Sequence, residues 1–380
     1  MYLRNLESLR GVAALMVALC HCLLVLSVDG ITNIWAIPFS DVAGVRSAIA
    51  RFLLVFFNGG AAVTVFFVLS GYVLGLSLDK SRQTIPRTLY FYLKRVFRLY
   101  PAHIVTLSGI VVSVMLFHEY QLFEAAGAWY VKWYRYEIEA GTVISNLLLK
   151  EVYLNHIAWS LQVELAGSLF LPFAYLVNRR SGLVVNLVVL AALIVLSALS
   201  RNLLLFFLYT FYVGLMLPMI TQRMKGLLAG GSGQVLLAAG FVLLWSARTL
   251  VGLGNMFGYI LIETIGSALI IAYLLNTDNA GSWFNRFLAW DVINRLGRYS
   301  YSFYLLHFIV LYWTAYVIFH LVSPDLLSAL PLFWAAVMAL VTVPLTFWLS
   351  AKMYRFVEVP MIKTAKGFGA RVFPRHAKAE

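Results

Sequence analysis

Runs of about twenty apolar residues recur along this chain from end to end, and nothing constrains its fold more. "LVVNLVVLAALIVLSALS", residues 183 to 200, is the plainest of them. A hydrocarbon core about 30 Å thick is crossed by roughly twenty helical residues. Inside it no water is present to bond backbone N–H and C=O groups, so a crossing segment of this kind must be a helix. Ten such runs can be marked, near 9–28, 61–78, 101–118, 159–178, 183–200, 203–222, 234–251, 256–275, 299–319 and 331–351. With 62% hydrophobic and only 12% charged residues, the chain lies far from a soluble domain, which is about half apolar and a quarter charged. The expected fold is all-α, a polytopic membrane bundle of about ten helices.

The basic residues give the bundle a direction. If both termini are cytoplasmic, ten crossings leave only Arg46, Arg51, Lys132, Arg135, Lys150, Arg201 and Arg248 of the 29 lysines and arginines on the outer side, as the positive-inside rule requires. That bias also accounts for the net charge of +13 without invoking nucleic acid. The basic stretch 79–100 then faces inward and the glutamate-bearing segment 119–158 outward. The stretch "IARFLLVFFN", 49–58, is too short to cross and reads as interfacial or re-entrant. The first run is too long for a signal-peptide core and reads as an uncleaved span. We read 1–351 as one membrane domain and 352–380 as a basic cytoplasmic tail close to anionic headgroups. Cys20 and Cys22 flank His21 but diverge around a helix, so they can neither share a metal with it nor pair with each other. No internal repeat is evident.

Ionisable groups inside spans are costly, and each one raises the question of a function. Arg10 and His21 lie eleven residues apart, within about 20° of three full helical turns, so they share one face about 16 Å apart along the axis. Arg10 reads as a snorkelling anchor or a ligand contact. His21, near mid-membrane, reads as a core histidine or as a base, since a neutral imidazole accepts a proton at ordinary pH. In "KRVFRLYP", 94–101, Arg95 and Arg98 stand three apart on one face, either as inward-side charge or as a pair of guanidinium forks for phosphate. In "AWSLQVEL", 158–165, Ser160 and Glu164 lie at i and i+4 beside Trp159; the carboxylate is placed to orient His21, to meet a sugar hydroxyl or simply to mark a boundary. In "GRYSYSFYLLHF", 297–308, Ser300, Tyr304 and His307 fall toward one face, as a lined cavity or as bonds across helices. Glu263 is a further carboxylate within a span, with no partner evident in the sequence.

Taken together and in order, these stretches resemble the acyltransferase-3 family of multi-pass bacterial membrane acyltransferases. The resemblance rests on Arg10-x10-His21, "FFVLSGYVL" at 66–74, Arg95-x-x-Arg98 followed by Tyr100-Pro101, "WSLQVE" at 159–164, "YSYSFYLLH" at 299–307 and "RFVEVP" at 355–360. It implies a bacterial inner-membrane enzyme that moves an acyl group, commonly acetyl, from cytoplasmic acyl-CoA to a hydroxyl of a surface or lipid-linked glycan. By the same resemblance His21 is catalytic with Glu164, and Arg10, Arg95 and Arg98 contact the acetyl-CoA donor. Trp159, Ser160, Tyr304 and His307 are expected at the substrate, and no metal is expected. The competing class is a proton-coupled secondary transporter of a glycan precursor or acyl compound, which would also use intramembrane His, Glu and Arg. It would move its substrate without consuming acyl-CoA.

Overall fold

The computed structural model describes residues 2–79 and 84–372. Seventeen α-helices follow one another: α1 Tyr2–Leu24, α2 Val45–Phe56, α3 Gly59–Asp79, α4 Ile85–Phe117, α5 Ala140–Leu147 and α6 Trp159–Arg180. After them come α7 Leu183–Leu199, α8 Leu203–Phe206, α9 Leu208–Arg223, α10 Gly230–Val251, α11 Met256–Leu275 and α12 Trp283–Leu288. The chain continues with α13 Asp291–Arg298, α14 Ser300–Leu321, α15 Pro324–Ala329, α16 Pro331–Met353 and α17 Val359–Val372. Among the described residues there is no strand, and nine helical stretches are long and apolar enough to cross a membrane. The protein is a polytopic helical bundle.

The run at 183–200 is the one expected crossing outside those nine. It forms α7, a helix of 17 residues at the lower limit for a span, ended by Ser200 and the Asn202 side chain that caps α8. Several helix limits also differ from the hydropathy runs. The first span leaves helical geometry at Leu24, because Leu26 pairs with Ala126 in a β-bridge. The basic stretch before the third span is itself helical, since α4 runs 33 residues from Ile85. The short stretch at 49–58 is divided between α2, which ends at Phe56, and Asn58, whose side chain accepts from the Ala61 N–H just inside α3. Residues 354–358 form one π-helical turn joining α16 to α17, so helix continues from the last span through residue 372. The rest of the basic tail, 373–380, lies outside the described residues.

α1 and α3 occupy the centre. α1 packs against α3, α11, α13, α14 and α16, and α3 against α1, α6, α9 and α11. Two glycine crossings bring backbones into contact. A Cβ on Gly11 would stand 2.4 Å from the Gly297 nitrogen, and one on Gly297 would stand 2.4 Å from the Glu7 carbonyl oxygen. At the second crossing, a Cβ on Gly71 would meet the Phe211 oxygen at 2.0 Å and one on Gly214 the Val68 oxygen at 1.9 Å. Small residues permit this approach, and it seats α13 and α9 directly on the two helices that carry the polar interior.

Candidate active site

The start of α1, the end of α3, the start of α4 and the start of α14 meet at one end of the bundle, here termed the basic end. From this end inward, α4 and α6 bring Arg95 and Glu164 together. Arg95 Nη2 lies 2.5 Å from Glu164 Oε1, and its Nε donates to Ser168 Oγ at 3.0 Å. Ser70 Oγ of α3 donates to the same carboxylate oxygen at 3.3 Å. The i, i+4 spacing in "WSLQVE" therefore turns Glu164 toward α4, where Arg95 claims it, and not toward His21. Two residues before Pro101, Tyr301 of α14 donates its hydroxyl to the Leu99 carbonyl at 2.6 Å.

Arg10 and Arg98 differ from Arg95, for among the described residues neither forms an ion pair. The charged groups acting on Arg10 are Arg98, Glu164, Arg95 and Glu358. Glu358, 4% exposed, sits in the π-helical turn and accepts a hydrogen bond from Ser302 Oγ. Three guanidiniums thus share two carboxylates, which leaves one positive charge uncompensated in a dehydrated setting. Such a charge is costly alone and favours an anionic ligand. In the sequence Glu358 is one residue of "RFVEVP" with no partner evident; a π-turn, often found at functional sites, leaves no mark in hydropathy.

Next to these charges lies a narrow cavity of about 30 Å³, lined by Arg10, Phe66, Phe67, Ser160, Glu164 and Tyr304 among others. Ser160 Oγ donates to the Tyr304 hydroxyl at 3.0 Å, so two of the expected substrate residues meet there. Trp159 does not join them. It lies about 100° around α6 from Ser160 and packs against Phe67 and Phe207 at centroid distances of 6.1 and 5.7 Å.

Tyr304 also connects the cavity to two imidazoles. His307 Nδ1 lies 2.6 Å from the Tyr304 carbonyl oxygen, and His307 Nε2 lies 3.0 Å from His21 Nδ1. A carbonyl only accepts, so Nδ1 of His307 carries a proton. In the neutral ring Nε2 is then an acceptor, and His21 Nδ1–H donates to it. The series ends on His21 Nε2, with its lone pair free. His307 is fully buried and is a partner of His21, 286 residues away in sequence.

Trp129, to which the sequence reading gave no part, stacks on His21 at 4.9 Å with 27° between the planes. Backbone bonds from Gly127 N to Val25 O (2.7 Å) and Ala128 N to Thr32 O (2.8 Å) tie its segment to the chain leaving α1. Trp133 and Phe308 pack around the indole. The thiols of Cys20 and Cys22 are free and buried. Glu263 has its partner in Arg248, whose Nε lies 2.8 Å away, and in Thr64, which donates at 3.0 Å. Among the described residues no three His, Cys, Asp or Glu side chains cluster closely enough to hold a metal ion.

The geometry defines a membrane-embedded centre with cationic groups at one end and a paired imidazole deeper in. The model of the acyltransferase domain of the acyltransferase-3 family matches residues 3–351, and the chain belongs to that family. No curated protein and no solved structure shows a significant match. The protein is accordingly a multi-pass membrane acyltransferase, whose family implies an acyl donor and an acceptor.

Proposed function

We propose that this acyltransferase moves an acetyl group from cytoplasmic acetyl-CoA to a hydroxyl of an extracytoplasmic glycan or glycolipid. In this reading it lies in a bacterial inner membrane with both termini in the cytoplasm, and the basic end faces the donor. The observation that carries the proposal is the series Tyr304 carbonyl–His307–His21, whose last member stands on the same helix as Arg10. It supports a base with one defined free nitrogen, about 16 Å along the helix from Arg10 and the guanidinium group that carries one uncompensated charge.

Arg10 and Arg98 hold the donor's phosphates, while Arg95 keeps Glu164 in place. The acyl-bearing arm enters the cavity beyond Arg10. His21 Nε2 removes the acceptor's hydroxyl proton as that oxygen attacks the thioester carbonyl. The carbon–sulfur bond breaks, and the proton held on His21 passes to the departing thiolate, giving CoA and an ester. The Ser160 and Tyr304 hydroxyls, which line that cavity, serve as donors for the negative oxygen that forms during the attack. Glu164 acts through Arg95, and His307 holds His21 in the required tautomer.

The test is a deletion strain complemented with wild type, His21→Ala or Arg10→Ala at matched membrane levels. Alkali-labile acyl groups are then measured on purified surface glycan. We expect wild type to restore the ester and His21→Ala to reduce its rate of formation by about 100-fold or more. Full restoration by His21→Ala removes the base from the mechanism. An absence of ester with wild type, together with no consumption of labelled acetyl-CoA, favours transport.

A further inference from the structure

Arg87 is the one arginine in the inward part of α4 that the mechanism leaves unused, and its surroundings are unusual. It is 6% exposed, yet no hydrogen bond or ion pair of its guanidinium is found among the described residues, and Nη2 is fully enclosed without a partner. It stands in the first turn of a 33-residue helix that has no acidic residue there and no side-chain cap on its N-cap Thr84. A helix start carries partial positive charge and unpaired N–H groups. A cation placed on it, buried and unpaired, is doubly unfavourable unless an anion binds both.

The helix period says which anion fits. Arg87, Lys94 and Arg98 fall within about 40° of arc on α4, with Lys94 about 10 Å and Arg98 about 16 Å along the axis from Arg87. Lys94 lies over the Tyr90 ring at 4.5 Å. The face therefore runs as a line of cations from the basic end to the Arg10 cavity. It matches a ligand with several phosphates spread along its length better than a single small ion. CoA is such a ligand, with a diphosphate between its arm and its ribose and a further phosphate on that ribose at the far end.

We propose that Arg87 and the start of α4 bind the ribose 3′-phosphate of the acyl donor, with Lys94 and Arg98 alongside its diphosphate. This rests on the donor being acyl-CoA, as argued above. The same phosphate chemistry is offered by an anionic lipid headgroup at the basic end, so the experiment separates the two sources.

Purified full-length protein in nanodiscs of phosphatidylcholine is titrated with CoA and with dephospho-CoA, which lacks only the 3′-phosphate. Wild type, Arg87→Gln and Arg87→Lys are compared. We expect wild type to bind CoA about tenfold more tightly than dephospho-CoA, as befits one charge-assisted contact. Arg87→Gln should lose that preference while binding dephospho-CoA as wild type does, and Arg87→Lys should keep part of it. A preference retained in Arg87→Gln, or none in wild type, overturns the assignment. So does an unchanged preference accompanied, in a parallel set of nanodiscs that contain phosphatidylglycerol, by weaker retention of that lipid in Arg87→Gln, which marks the anion as a headgroup. Labelled acetyl transfer by the same wild-type sample is read separately. CoA binding that depends on Arg87 without transfer would count against the enzymatic reading and leave the phosphate site standing.

Discussion

Removing the Arg95 guanidinium would strand the Glu164 carboxylate with only Ser70 as a donor from another helix. Breaking a buried pair from one side costs about 3–5 kcal/mol. Arg95→Ala should therefore lower the unfolding temperature in detergent, and Arg95→Ala combined with Glu164→Gln should recover most of the loss. His307→Gln should act differently. It should leave the fold near wild-type stability and lower turnover by about ten- to a hundredfold, the range seen for partners that orient metal-bound imidazoles. Acyl-transfer rates at saturating donor would check it. Arg10 and His21 were legible as a pair because one helix carries both, and a single period relates them. The His21–His307 and Arg248–Glu263 pairs were not, because contact between helices leaves no periodic trace in either one. Arg248 reads in the sequence only as a charge near the end of a span, and its fully buried partner Glu263 lies on the next helix.

Among the helices, glycine divides the crossings that bear on the site from the surfaces that do not. A methyl group on Gly297 would meet the Glu7 carbonyl oxygen, and backbone cannot step aside as a flexible side chain can. Gly297→Ala should destabilise the protein by about 1–3 kcal/mol and reduce transfer, since α13 leads straight into Ser300 and Tyr304. Gly109 of α4 has open space around it. Gly109→Ala should be neutral or stabilise by up to about 1 kcal/mol through helix propensity. Thermal unfolding of the two variants side by side is the measurement. The existence of the long helices was plain from hydropathy, but their ends were not. Polar residues of α4 from Arg87 to Arg98 look like a loop to a hydropathy window, yet they are helical, with Arg95 turned inward onto Glu164.

For the molecule as a whole, sidedness is the expectation most open to direct test. Cys20 and Cys22 are buried and should stay silent to a membrane-impermeant maleimide. Gln121→Cys, on the exposed segment after α4, should then react in intact cells, and Lys366→Cys, exposed on α17, only after lysis. The reverse pattern would put the donor site on the wrong side. The bundle architecture was legible because lipid admits so few solutions. The segment 119–158 was read only as an outward loop, since its packing onto α1 and α14 depends on aromatic contacts spread over distant parts of the chain.

That segment bears on what the enzyme must refuse as well as what it must accept. In the proposed mechanism a thioester stands beside a basic nitrogen, open to attack by water, which outnumbers the acceptor hydroxyl. The indole of Trp129 lies against His21, and its segment is bonded to the chain leaving the helix that carries His21. Donor economy then depends on one aromatic ring, and opening it, as in Trp129→Gly, should shift the enzyme from transfer toward futile hydrolysis of the donor.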